Sequence, residues 1–189
     1  MSAGTFHILG IPGSLRAGSY NGALLRAAAE VLPPGVGLEV FALNEIPPYN
    51  ADVQAGGDPE AVRELKRRLL EADAVLIATP EYNYSIPGVL KNAIDWVSRP
   101  PKTCAFRKKP VGLMGASSGE SGTIRGQLAL RQVFVYLDSY VMAQPELRVT
   151  NAGQRFDENG ALIDEELRER LRAYLAALVD WARLVRRCS

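Results

Sequence analysis

At 189 residues the chain suits one domain spanning 1–189, because about 150 residues per domain is usual. Hydrophobic residues at 47% and charged residues at 23% are ordinary for a globular protein and exclude disorder or collagen-like repetition. A net charge of +1, from 22 basic and 21 acidic residues, argues against a dedicated nucleic-acid binder.

The apolar run Phe6 to Ile11, closed by Pro12 and Gly13, reads as a buried strand. Asn21 to Leu32 carries Leu24, Leu25, Ala28 and Val31 at helical spacing until Pro33-Pro34 stops it. Gly37 to Leu43 is a second strand. Residues 44–58, rich in Pro, Gly and Asn, are too long for a simple turn. Pro59 opens a helix to about Leu70. Ala74 to Ala78 is wholly apolar, as a parallel strand covered on both faces should be. A helix follows Pro87-Gly88 through Val97, Pro110 to Met114 is a fourth strand, and Thr123 to Leu137 a fourth helix. A weaker fifth strand falls within Tyr140 to Val149. The last helix, Asp164 to Arg186, lines up Leu167, Leu171, Tyr174, Leu175, Leu178 and Ala182. This alternation predicts an α/β protein with a five-stranded parallel sheet between helical layers. In such sheets ligands lie beyond the carboxyl ends of the strands.

Cys104 and Cys188 form no CxxC pair and are too few for a disulfide scaffold or a zinc site, which suits a reducing, cytoplasmic setting. No apolar run approaches the ~20 residues of a membrane helix, and no secretory signal is read.

Three loops carry the chemistry. The first, Pro12 to Tyr20, offers glycines, the hydroxyls of Ser14 and Ser19, the cation of Arg16 and backbone amides at a helix start. Such a start favours an anion, although a plain capping loop has the same composition. It is not a P-loop, because Ser19 stands where the lysine belongs, and GxGxxG is absent. The second, Thr79-Pro-Glu-Tyr-Asn-Tyr-Ser-Ile-Pro87, is braced by two prolines and suits a flat, hydrogen-bonding ring or a simple packed connection. The third, Gly115 to Gly122, contains Gly115-x-Ser117-x-Gly119, the spacing of a nucleophile elbow. His7 precedes that serine and sits inside the first strand, so a serine hydrolase is disfavoured. The run Arg99, Lys102, Arg107, Lys108 and Lys109 reads as a solvated face or a patch for a phosphorylated cofactor.

Gly13-Ser-Leu-Arg-x-x-Ser-x-Asn21 with Thr79-Pro-Glu-Tyr-Asn-Tyr-Ser-x-Pro-Gly-x-Leu-Lys-Asn-Ala-Ile-Asp-Trp96 resembles the NADPH-dependent FMN reductase family, and within it the bacterial quinone and chromate reductases. The resemblance implies a flavodoxin-like αβα sandwich with strand order 2-1-3-4-5. It also implies non-covalent FMN, and electron transfer from NADPH or NADH to quinones, chromate, azo dyes or other small acceptors. Only one cofactor site is readable, so donor and acceptor must share one ring face, which predicts a ping-pong route. Ser14, Leu15, Arg16, Ser19, Tyr20 and Asn21 would hold the phosphate. Pro80, Glu81, Tyr82, Asn83 and Tyr84 would line the ring and ribityl chain, and Ser117, Ser118 and Gly119 the ring's other edge. No residue is read as catalytic and no metal is implied, since hydride chemistry is the cofactor's own, at N5. FMN is expected rather than FAD, because only one phosphate cradle is visible. The family's homodimers or homotetramers would place Pro47 to Asn50 at the boundary. Tyr49, Tyr82, Tyr84 and Trp96, near one sheet edge, read as interface aromatics or as intramolecular core. A flavodoxin-type electron carrier without nicotinamide activity is the alternative, and the near-neutral charge speaks against it.

Overall fold

The computed structural model describes residues 5–187, so Cys188 lies outside it. Six strands form one parallel sheet: β1 Phe6–Pro12, β2 Val36–Val40, β3 Ala74–Ala78, β4 Pro110–Ala116, β5 Tyr140–Val141 and β6 Leu147–Val149. Their order is β2-β1-β3-β4-β5, with β6 also on β4. The flavodoxin-like order therefore holds, but the expected single fifth strand is two short ones. Both pair with β4, β5 at Pro110–Val111 and β6 at Met114–Ala116. Pro145 lies between them, and a residue without an N–H cannot extend the ladder.

Helices α1 Tyr20–Glu30, α2 Ala51–Ala55, α3 Glu60–Glu71, α4 Gly88–Val97, α5 Ile124–Tyr136 and α6 Glu165–Arg187 complete the described chain. Alternate strand residues face opposite layers. Ile8, Leu76 and Met114 pack with α1 and α6, whereas Leu9, Ile11, Val75, Ile77 and Leu113 pack with α3, α4 and α5. The short α2, capped by Asn50, interrupts the segment read as irregular.

That segment is pinned to α4. The carbonyl of Pro47 accepts from Asn92 Nδ2 and Trp96 Nε1, both at 2.8 Å, and the Tyr49 ring meets Trp96 edge-on at 4.9 Å. Trp96 is fully buried, so Trp96 and Tyr49 are an intramolecular pair and not the surface aromatics expected at an interface. Register sets the site: Pro12 pairs with Ala78, and Ala78 with Met114, so β1, β3 and β4 end nearly level. The basic run 99–109 precedes β4 and so lies at the other end of the sheet. There Arg107 pairs with Asp138, and Lys109 Nζ donates to the carbonyl of Ala72 at 2.8 Å.

Candidate functional site

Beyond the level strand ends, the first loop turns into α1 at Ser19. The Ser19 hydroxyl accepts from the amides of Asn21 and Gly22 at 3.2 and 3.4 Å, which satisfies part of the helix start. The amides of Ser14, Leu15, Ala17 and Gly18 have no hydrogen-bond partner among the described residues. Beside them Arg16 is exposed and makes no ion pair within the described residues. Four open donors and a free guanidinium at a helix start form a site for an anion.

Asn21 has a different task. Its side chain donates from Nδ2 to the Ala116 carbonyl at 3.0 Å, and its Oδ1 accepts from the Ala116 amide at 2.9 Å. Both groups are buried, so α1 is locked to the end of β4. Residues on the two elements are thereby held in one geometry whatever binds between them.

The second loop is a tight turn. Tyr82 and Ser85 exchange two backbone bonds of 2.9 Å, with Asn83 at φ 50° and Tyr84 at φ 66°. Two-residue turns with both centres at positive φ favour Asn-Gly. A side chain there costs about 1–2 kcal/mol, which Tyr84 bears while 70% exposed.

Glu81 was expected to face the ligand, but its carboxylate is committed elsewhere. Its Oε2 accepts from the amides of Arg125 and Gly126 at 2.9 and 3.2 Å, and its Oε1 from Arg125 Nε at 2.6 Å. Thr123, at φ 65°, makes no side-chain cap to α5, so Glu81 supplies that cap from the neighbouring loop. The Glu81 side chain is only 7% exposed and its carboxylate accepts three bonds, which leaves the Glu81 backbone and stem to line the site. The Arg125 guanidinium also lies 3.9 Å from the Tyr84 ring centroid.

The third loop is held by β6 and the turn after it: Ser117 donates its amide to Val149 at 3.0 Å and accepts from Ala152 at 2.9 Å. At Gly115 a Cβ would fall 2.0 Å from Thr123 Oγ1 and 2.5 Å from the Thr79 carbonyl, so the loops close only over a hydrogen. His7 faces Glu39 near the amino end of β1, far along the strand from the loop that carries Ser117. The elbow spacing thus has no histidine beside it.

A cavity of about 260 Å³ lies among the three loops. Ser14, Arg16, Ser19, Tyr20 and Asn21 line it from the first, Pro80, Glu81 and Tyr82 from the second, and Ala116, Ser117 and Ser118 from β4 and the third. Exposed Arg16, Tyr82 and Ser118 mark its rim. Leu15, Asn83, Tyr84 and Gly119 are exposed neighbours outside the lining. Ala116 was missed, and an alanine ending an apolar strand carries no signal that would reveal it. Among the described residues there is no cluster of metal ligands, and no helix is long and apolar enough to cross a membrane.

The model of the NADPH-dependent FMN reductase family matches residues 6–154. A Pseudomonas aeruginosa protein named NAD(P)H-dependent FMN reductase is 49% identical over 95% of this chain and 96% of its own. A Solanum tuberosum NAD(P)H:quinone oxidoreductase is 43% identical over 90% of each. Among solved structures, the Paracoccus denitrificans flavoenzyme FerB, an NAD(P)H:(acceptor) oxidoreductase, superposes with a TM-score of 0.86 at 32% identity, covering 94% of this chain and 97% of that one.

Proposed function

Because the chain belongs to the NADPH-dependent FMN reductase family, we propose that the three-loop site seats FMN and that its rim serves a nicotinamide donor and a quinone in turn. The chain is an NAD(P)H-dependent oxidoreductase, and FMN supplies the hydride chemistry when bound. What carries the assignment of the site is the donor set: four open amides and an unpaired Arg16 at the start of α1 match a phosphate. The cavity is slightly smaller than the ~300–1,000 Å³ usual for small-molecule sites, which suits a ligand partly exposed at its rim.

Arg16 and the amides of residues 14–18 hold the phosphate, with the hydroxyls of Ser14 and Ser19 and the Tyr20 side chain beside it. Pro80, the Glu81 stem and Tyr82 wall the ring, and Ser117 and Ser118 border it opposite. Leu15, Asn83, Tyr84 and Gly119 flank the rim. Asn21 lines the cavity and positions the first loop against the third. The chain acts as one cytoplasmic FMN-binding unit, with quinones as first acceptors and chromate and azo dyes as further ones. Leu128, Val135 and Tyr136, 53, 80 and 84% exposed along one face of α5, support a homodimer or homotetramer.

Anaerobic spectroscopy tests this reading. Purified protein should show flavin bands that bleach on adding NADPH and return on adding a quinone. Colour without bleaching would replace the reductase by a carrier, and stoichiometric FAD, identified by mass, would remove FMN. One rim for donor and acceptor also predicts parallel double-reciprocal plots; clearly intersecting lines would require two separate places.

A further inference from the structure

The lysines of the chain are held in three ways. Lys66 and Lys91 are ion-paired: Lys66 Nζ lies 2.6 Å from Asp58, and Lys91 Nζ 2.8 Å from both Asp95 oxygens. Lys102 and Lys108 are exposed, with the amine open to water. Lys109 belongs to neither group. It is half-buried, and its Nζ donates to the carbonyls of Leu70 at 3.3 Å and Ala72 at 2.8 Å, without a third acceptor among the described residues. The nearby carboxylate of Asp73 is taken by Arg186 and the His7 amide. An ammonium carries three N–H groups, a neutral amine two and a lone pair. The neutral amine therefore satisfies both carbonyls and keeps its lone pair on the remaining corner. The charged form gains no third bond from the protein and gives up water beside a second cation. Burial, with Arg186 adding to it and Asp73 opposing, brings the Lys109 pKa down to about 8.

We propose that Lys109 is an acylation site of this protein, the lysine that acyl phosphates modify first. The Nζ lone pair attacks the acyl carbon, a C–N bond forms and the C–O bond to phosphate breaks. Inorganic phosphate leaves and takes up the proton the amine gives away, so no oxidant or reductant is needed. Arg186, 48% exposed, meets Asp73 through Nη1, which leaves its other edge for the phosphate dianion beside the amine. The amide product retains one N–H, so one of the two carbonyls closing α3 keeps its partner. The site lies at the amino ends of the strands, away from the three-loop cavity, and stands whether or not that cavity seats FMN.

The test is a time course of the folded full chain with acetyl phosphate, read lysine by lysine by peptide mass mapping. At pH 7.5 roughly a quarter of Lys109 is neutral, against about a thousandth of a lysine in water. Lower basicity weakens the nucleophile and returns part of that gain, as it does for thiols, so about a tenfold preference over Lys108 and Lys102 remains. The Lys109 rate should level off above about pH 9, once the amine is neutral. In guanidinium chloride the preference should vanish, because it comes from the folded site and not from the neighbouring residues. Arg186→Gln should slow acetyl phosphate severalfold more than it slows neutral p-nitrophenyl acetate. Lys108 reacting as fast as Lys109, a preference that survives unfolding, or a Lys109 rate still climbing tenfold per pH unit at pH 10 would each overturn the assignment.

Discussion

The two ends of the sheet treat their polar groups in opposite ways. At the amino ends several charges are answered within the fold: Asp73 accepts from the His7 amide and pairs with Arg186, Arg107 faces Asp138, and Lys109 caps the carbonyls closing α3. At the carboxyl ends four amides of the first loop and Arg16 stay open among the described residues, while the Asn21 and Glu81 side chains join one loop to another. Open donors at one end of the sheet are what the proposed phosphate site requires. The rigidity of the open end comes from the loop-to-loop bonds, so the donors wait in a fixed arrangement.

The most severe way to break this contrast is Gly115→Ala. The new methyl would overlap Thr123 and the Thr79 backbone, so the loops must part at a cost of about 3 kcal/mol, or roughly 6–12 °C in Tm. FMN affinity should collapse with it; a variant with wild-type Tm would show that the loops are not closed against each other. Arg16→Ala should do the reverse. Loss of charge-assisted bonds weakens FMN by about 1.5–3 kcal/mol, roughly 10- to 150-fold, with the Tm of the flavin-free protein little changed because Arg16 holds nothing within the fold. Fluorescence titration with FMN measures it, and unchanged affinity would make Arg16 an ordinary surface residue.

At the closed end, burial lowers the Lys109 pKa from 10.5 to about 8, with Arg186 adding to the effect. The folded state therefore loses this proton before the unfolded chain does. The penalty is fully present below pH 8 and is relieved as pH rises towards 10.5, so stability gains about 1–2 kcal/mol from this group across that window, allowing for its partial exposure. Urea unfolding at pH 7.5 and 10 should show the gain in the wild type and its absence in Lys109→Met, with FMN affinity the same in both; a variant with the wild-type slope would refute the assignment. The smallest effect sharpens the picture of the open loop. A Cβ at Gly18 meets nothing within 4 Å, so Gly18→Ala should be neutral or stabilise by about 0.4–1 kcal/mol, in contrast to Gly115→Ala. A fall in Tm would reveal a contact in that loop.

Much was legible in the residues alone. Apolar runs, helical spacing and Pro/Gly punctuation are local signals, and they placed the main strands and helices within a few residues, α2 and the divided last strand excepted. They also placed the three loops at one edge, because a right-handed alternation of strands and helices leaves little choice of topology. Arg16 and the amides of its loop followed from composition and position, and the family resemblance joined them to FMN. The tertiary structure decided how each polar group is used. Asn21 and Ala116 are 95 positions apart, and Glu81 and Arg125 are 44 apart. Neither bond has a local signature, so the residues alone could not show that the Asn21 and Glu81 side chains join one loop to another. The same holds for Trp96, an expected surface aromatic that the segment before α2 covers. A residue's type states which bonds it can make, and only the packing of distant segments determines which of those bonds remain for a ligand.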